Sequence, residues 1–272
     1  MTSKDWQLAH DAAARYEEVL VPAILGPFAK ALADWADINA IDTVVDVGTG
    51  TGAAARYAAG RAGKVIGTDV NPGMLTVAGE LPTVDGAPIE WREASAYALP
   101  VEDRSVDVVL CSQVLQFLKE RTKALNEMKR VLKPGKAAYI SLWCDIEQSP
   151  YFDALVKTIA EHISEDTAAG LGAAFQLSDA DEIRDLVVSA DFASVDMEVR
   201  TIELQLPPVP EFVPRHIGAT PMGAGYKAAD EATQQAIVDQ MQKRMILYQI
   251  EGGIRVPFRS HMIKATKQEQ VT

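Results

Sequence analysis

The stretch TVVDVGTGTGAA, Thr43 to Ala54, decides the fold. Val44, Val45 and Val47 around Asp46 predict a buried strand, Gly48, Gly50 and Gly52 alternate through the turn that follows, and Ala53 opens a helix. A strand that runs through glycines into a helix N-terminus gathers backbone N–H groups at one point, which suits a nucleotide-like ligand. Two large enzyme classes with different cofactors share that arrangement. The loop alone does not separate them.

Downstream the pattern repeats: strand KVIGTD, a helix from about Pro72, strands IEWRE and VDVVLCS, a helix from Thr122 to Leu132, and strand AAYISLW. Alternating strands and helices predict right-handed crossovers and a parallel sheet. After Trp143 come helical patterns over 150–163 and 179–189, then the long β-rich run SVDMEVRTIELQL. PPVPEFVPRHIGATPMGAGY is dense in proline and glycine; a helical segment from about Lys227 to Tyr248 and a last strand, RVPFRSHMIKAT, follow it. Upstream, apolar positions at helical spacing from Asp5 to Ala36, broken near Pro22 and Pro27, predict two or three short amphipathic helices able to cover a site. The expected class is α/β: a Rossmann-like, seven-stranded, mostly parallel sheet flanked by helices. Residues 1–40 form an N-terminal helical cover, 41–206 and 254–267 the core, and 207–253 a lid inserted between the last two strands.

Composition removes several function classes. With 26 basic against 38 acidic residues the formal net charge is -12, so a nucleic-acid backbone would be repelled over most of the surface. Cys111 and Cys144 are far apart, with no C-x-x-C pair and no clustered histidines, so neither a metal site nor a disulfide framework is expected. The first twenty residues lack the basic start and apolar run of a signal peptide, and no apolar stretch is long enough to span a bilayer. The expected setting is the cytoplasm, for a monomer or homodimer.

Read as G-x-G-x-x-A, residues Gly48, Gly50 and Ala53 satisfy the dinucleotide fingerprint, and Asp69 falls where an acid would hold ribose hydroxyls. A nicotinamide oxidoreductase is one reading. Read as D-x-G-x-G-x-G, residues Asp46, Gly48, Gly50 and Gly52 resemble the first motif of class I S-adenosylmethionine-dependent methyltransferases. LPVEDRSVDVVLCSQVLQFL and ALNEMKRVLKPGKAAYISLW resemble that family's L-P-x-x-D-x-S-x-D-x-V and E-x-x-R-V-L-K-P-G-G segments, and LVVSADFASVDM its later helix-to-strand passage. A nicotinamide enzyme has no reason to carry these. The resemblance is strongest from Asp42 to Trp143 and closest in style to ubiquinone/menaquinone-biosynthesis-type methyltransferases.

The resemblance implies S-adenosyl-L-methionine as cofactor, held by Asp46, Gly48, Thr49, Gly50, Gly52, Asp69, Val70 and Met74, with the glycines admitting the ligand where a Cβ would collide. Tyr16 is expected to point its hydroxyl into the site. Two positions depart from the family pattern. Ala94 and Ser95 stand where many relatives have glycine and aspartate, so Ser95 or the N–H of Ala96 takes over adenine recognition. Lys136 replaces the last glycine of K-P-G-G, a change expected to matter only to the loop.

Methyl transfer from a sulfonium is an in-line displacement that needs alignment, exclusion of water and, for some acceptors, a base. Gln113 is expected to hold cofactor or acceptor. Gln116 and Trp143, near the ends of the fourth and fifth strands, join Phe212, Met222 and Tyr226 of the insertion as a substrate pocket. His216, in the proline-rich lid, is the candidate general base; His10 and His162 sit on polar helical stretches, and His261 alternates within the last strand. The expected acceptor is a small, lipophilic or aromatic molecule methylated at oxygen, carbon or nitrogen. A rival from another class is a non-catalytic S-adenosylmethionine-binding partner subunit.

Overall fold

The computed structural model describes residues 10–82 and 85–269, with the side chains of 10 and 11 excepted. The start of the predicted helical cover, Asp5 to Ala9, and the surroundings of His10 lie outside them.

The strands are β1 (Thr43–Val47), β2 (Lys64–Asp69), β3 (Ile89–Glu93), β4 (Val106–Ser112), β5 (Leu132–Trp143), β6 (Ser194–Leu206), β7 (Gln249–Ile250) and β8 (Gly253–Thr266). They form one sheet in the order β3-β2-β1-β4-β5-β8-β6, with β7 added against β8. β1 to β5 run parallel, and β8 lies antiparallel between β5 and β6. Seven long strands agree with the sequence pattern; the two-residue β7 is additional.

The period of two sorts the strand side chains between two apolar layers. Val44, Val65, Val108, Leu110 and Tyr139 meet helices α2 (Gly26–Trp35) and α3 (Ala53–Ala59). Val45, Val47, Val109, Cys111, Ala138 and Ile140 meet helices later in the chain, α5 (Arg121–Val131) and α8 (Ala180–Ser189). Helix α4 (Pro72–Glu80) follows β2 and is capped by the Asn71 side chain, which accepts from the Gly73 N–H at 2.9 Å. Lys136 contributes more than a turn change: its Nζ lies 3.5 Å from an Asp107 carboxylate oxygen and 3.7 Å from one of Asp42, where the K-P-G-K segment shifts the register of β4 against β5.

The N-terminal segment corrects the expected breaks. From His10 onward it is helical: α1 (His10–Arg15), a π-helical stretch (Tyr16–Leu25), then α2. Pro27 sits in the first turn of α2, where its missing N–H costs nothing. Pro22 is carried inside the π stretch, whose wider turn lets the Gly26 N–H reach back to the Val21 carbonyl. A Cβ on Gly26 would stand 2.6 Å from that carbonyl oxygen, so glycine is required.

The segment between β6 and β8 is also more ordered than a proline-rich loop. It forms α9 (Val209–Gly218), α10 (Gly223–Ala228) and α11 (Glu231–Arg244). Pro210 falls in the first turn of α9, and the backbone bond lost at Pro214 is offset by burial of Phe212, Val213, His216 and Ile217. These helices pack with α6 (Pro150–His162) and α7 (Glu165–Gly172) into a third core that holds Trp143, Tyr151, Phe152, Phe175, Phe212 and Phe258. The helical layer is therefore built from two chain segments, one on each side of β6. No helix among the described residues is long and apolar enough to cross a membrane.

Candidate active site

The site is built at the carboxyl end of β1. Asp46 is buried, and its Oδ2 accepts from the Thr49 hydroxyl at 2.6 Å and the Ala55 N–H at 3.0 Å. Gly52, the N-cap of α3, has no side chain to satisfy the first helical N–H groups, so Asp46 does so from below. Burial pushes the Asp46 carboxyl up to about 7, against the pull of those two donors.

All three loop glycines have positive φ, but their surroundings differ. A Cβ on Gly48 would stand 2.6 Å from Val114, and one on Gly52 2.4 Å from the Trp91 ring. Only Gly50 opens toward the cleft, with the Tyr16 hydroxyl 3.9 Å from where its Cβ would be. The expectation that each glycine makes room for a ligand is thus corrected for two of them: they make room for Val114 and Trp91.

Asp69 ends β2 with Oδ2 accepting from the Gly50 N–H at 2.9 Å and Oδ1 from the Asn71 N–H at 2.8 Å. Burial raises its carboxyl above the usual range, and the backbone donors pull it back. The Tyr16 phenol enters the same cleft, where burial first, then the Asp69, Glu17 and Asp46 carboxylates, raise it well above its ordinary value. With the π stretch laid over the loop, the cavity lined by Tyr16, Asp46, Gly48, Thr49, Ser112 and Gln113 is only about 40 Å³. A groove of about 800 Å³ lies beside the π stretch, between Glu17, Pro22, Lys30, Tyr57 and Leu81, and touches none of the glycines of the loop. The backbone donors and carboxylates described above gather at the smaller cavity.

Across the sheet, Trp143 is core: it packs edge-on against Phe28 at 4.8 Å and Phe152 at 5.5 Å between ring centroids. Phe212, Met222 and Tyr226 are buried in the same cluster. His216 is not on an open lid. It is 1% exposed, stacks on Tyr151 with ring centroids 5.4 Å apart, and has Nδ1 2.8 Å from the Tyr151 hydroxyl. Desolvation lowers it to about 3, so it stays neutral near pH 7 and is a poor proton acceptor, which corrects the general-base expectation.

Residues 45–140 match a family described as methyltransferase domain. An uncharacterized protein of Mycobacterium tuberculosis is 33% identical over 138 residues, 51% of this chain and 48% of its own. The ubiquinone/menaquinone biosynthesis C-methyltransferase UbiE of Chromobacterium violaceum is 34% identical over 123 residues, 43% of this chain and 50% of its own. The chain spans about half the length of these curated relatives. Among solved structures, phosphoethanolamine N-methyltransferase 2 of Haemonchus contortus, in complex with S-adenosyl-L-methionine, superposes with a TM-score of 0.61 at 17% identity, over 98% of this chain and 60% of that one. Residues 45–140 are thus similar to a methyltransferase domain.

The structure brings Tyr16, Asp46, Gly48, Thr49 and Gln113 together around one cavity, with Gly50 and Asp69 joined to it through Tyr16. Met74 packs with Tyr16 and Val77, while Val70 is exposed at 49%. Ser95 turns its hydroxyl toward its own loop, accepting from the Tyr97 N–H at 3.2 Å, and Ala96 packs against the core beside α5. Gln116, expected in the substrate pocket, is buried at 2% exposure. The residues missed from sequence are Thr51, Trp91, Val114 and Ser260. Trp91 had a signal: an aromatic on β3 opposite Gly67 of β2, where a Cβ would also strike its ring at 2.5 Å.

The residues fit S-adenosylmethionine in kind. Gly50 gives close approach, and Asp69 supplies two acceptor oxygens. They fit in volume only after the π stretch withdraws Tyr16, because ligand sites generally enclose about 300–1,000 Å³.

Proposed function

We propose that this protein binds S-adenosylmethionine on the Gly48–Gly52 loop and transfers its methyl group to a small, apolar or aromatic molecule. The observation that carries the reading is the loop itself: Asp69, braced by the Gly50 and Asn71 N–H groups, sits at the carboxyl end of β2 beside the one loop glycine that opens to the cleft. The methyltransferase-domain match and a relative named as a ubiquinone/menaquinone biosynthesis C-methyltransferase support it. The cofactor's sulfonium would supply an activated methyl, so the chain needs neither a metal nor a covalent nucleophile. Both cysteines are free and buried, and burial pushes the Cys144 thiol up to about 11, which suits a reducing compartment such as the cytoplasm and no nucleophilic role.

Asp69 would orient the ribose by accepting from its hydroxyls, and Tyr16 would close over the ligand with Val21 and Leu25 of the π stretch to exclude water. The buried aromatic layer that includes Trp143, the last residue of β5, would supply the apolar wall on the acceptor's side. The reading is tested by equilibrium titration with S-adenosylhomocysteine and with NADH. Saturable binding of the first without the second is expected; the reverse would establish the oxidoreductase reading of the same loop.

A further inference from the structure

A chain of hydrogen bonds leaves the sheet at β5 and ends in the short turn that follows β4, and its direction is fixed at one end. The Leu142 carbonyl can only accept, so the Ser260 hydroxyl donates to it at 2.9 Å; the His261 carbonyl lies 3.1 Å from the same hydroxyl. With its proton committed to a carbonyl, Ser260 Oγ accepts from Gln113, whose Nε2 stands 3.0 Å away. That leaves the Gln113 amide oxygen facing Gln116, whose Nε2 donates to it at 3.2 Å. Each bond sets the next, and the last group is an acceptor, Gln116 Oε1.

Gln116 is 2% exposed, and this oxygen is buried with no hydrogen-bond partner among the described residues. Turning the amide over would not relieve it, because oxygen would then face oxygen at Gln113. A buried amide oxygen left unpaired works against folding, and such an exception calls for a reason.

The relay also crosses the site. Gln113 lines the cavity with Gly48 and Thr49, and it is held at φ +57, a left-handed conformation unusual for glutamine. Ser260 pairs with Trp143 across β8 and β5. The short 3-10 turn Leu115–Phe117, which carries Gln116, packs against the turn Ala173–Phe175, whose Phe175 ring stacks on Trp143 at 6.4 Å. Gln116 therefore lies between the glycine loop and the aromatic cluster, at the carboxyl ends of β4 and β5.

We propose that Gln116 Oε1 is the anchor of the methyl acceptor, which must carry an O–H or N–H that donates to this oxygen from an otherwise apolar body. The inference rests on the methyltransferase reading. Gln116 positions the acceptor and exchanges no proton with it. A molecule with the same ring system whose donor hydrogen is replaced by methyl leaves the oxygen unpaired and is rejected.

The test uses 2-naphthol and 2-methoxynaphthalene, which differ in the donor, titrated by their own fluorescence into the protein saturated with S-adenosylhomocysteine. The wild type is expected to hold 2-naphthol at least ~10-fold more tightly. Gln116→Met, similar in length but without the acceptor, is expected to bind the two alike while keeping its S-adenosylhomocysteine affinity within about twofold. Equal affinities in the wild type, binding of neither, or a preference that persists in Gln116→Met overturns the proposal. The wild-type comparison decides even if the variant does not fold. Failure of the wild type to bind S-adenosylhomocysteine, read before either naphthalene is added, is instead a failure of the methyltransferase reading.

Discussion

The backbone N–H of Gly50 donates a 2.9 Å hydrogen bond to Oδ2 of Asp69, tying the glycine loop after β1 to the end of β2. One carboxylate thereby shapes the loop and faces the ligand that the loop would hold. Asp69→Ala should weaken S-adenosylhomocysteine binding by more than about tenfold, the loss of one to two charge-assisted bonds. Asp69→Asn, which keeps an acceptor oxygen, should lose less. Calorimetric titration of the three proteins checks the ranking, and equal affinities would remove Asp69 from the ribose role.

Gly50 and Gly52 should fail differently when given a side chain. Gly52→Ala forces a Cβ to within 2.4 Å of Trp91 at φ +93, so it should destabilise the folded protein by roughly 2 kcal/mol or more. Gly50→Ala meets only the Tyr16 ring edge and hydroxyl, so its stability cost should stay near the roughly 1–2 kcal/mol of left-handed backbone, while cofactor affinity falls steeply. Urea unfolding alongside ligand titration separates the two effects.

Tyr16 fills the cleft that the cofactor must enter, leaving about 40 Å³ beside the glycine loop. Entry therefore waits on withdrawal of the π stretch. Tyr16→Ala should raise the association rate for S-adenosylhomocysteine measured by stopped flow, and should speed dissociation as well, since the same ring helps to cover the bound ligand. Unchanged rates would show that the ligand enters by another route.

The sheet was legible because its strands carry a period of two that the core enforces: Val44 and Val45 must face opposite layers, as must Val108 and Val109. The glycine loop was legible for the same kind of reason, since positive φ at Gly48, Gly50 and Gly52 admits few other residues. Roles that depend on distant partners were not. Nothing near Gly52 in sequence announces Trp91, nothing in QVLQF announces Ser260, and the prolines around His216 suggested a mobile lid where long-range packing against Tyr151 and Phe212 makes a buried helix. Propensity lost to tertiary burial in α9 and in the π stretch alike.

The buried His216 makes a pH signature. Its folded value, about 3, lies below the ordinary histidine value of 6.5, so the stability it contributes is fully present above about pH 6.5 and is lost as pH falls toward 3. Across that window this one group should tilt unfolding free energy by up to about 1.4 kcal/mol per pH unit. His216→Phe should be less stable at pH 7, because the Tyr151 hydroxyl loses its partner, yet should show a shallower decline between pH 6.5 and 4. Parallel slopes in urea titrations of the two proteins would contradict the assignment.

Asp46 should act in the opposite direction. Its carboxyl is raised to about 7, so the stability it contributes is present at low pH and is lost as pH rises through about 7. Asp46→Asn should flatten the change in stability between about pH 4 and 7, measured by the same urea titrations, and an unchanged profile would show that Asp46 is ionised throughout.

The most direct test of the central claim is transfer of labelled methyl from S-adenosylmethionine into a cell extract, afterwards separated into organic-soluble, small polar and macromolecular fractions, with Asp69→Ala as control. The account predicts label in an organic-soluble compound with the wild type and its loss with the variant. Label in protein or nucleic acid, or the same organic-soluble label from both proteins, would contradict it.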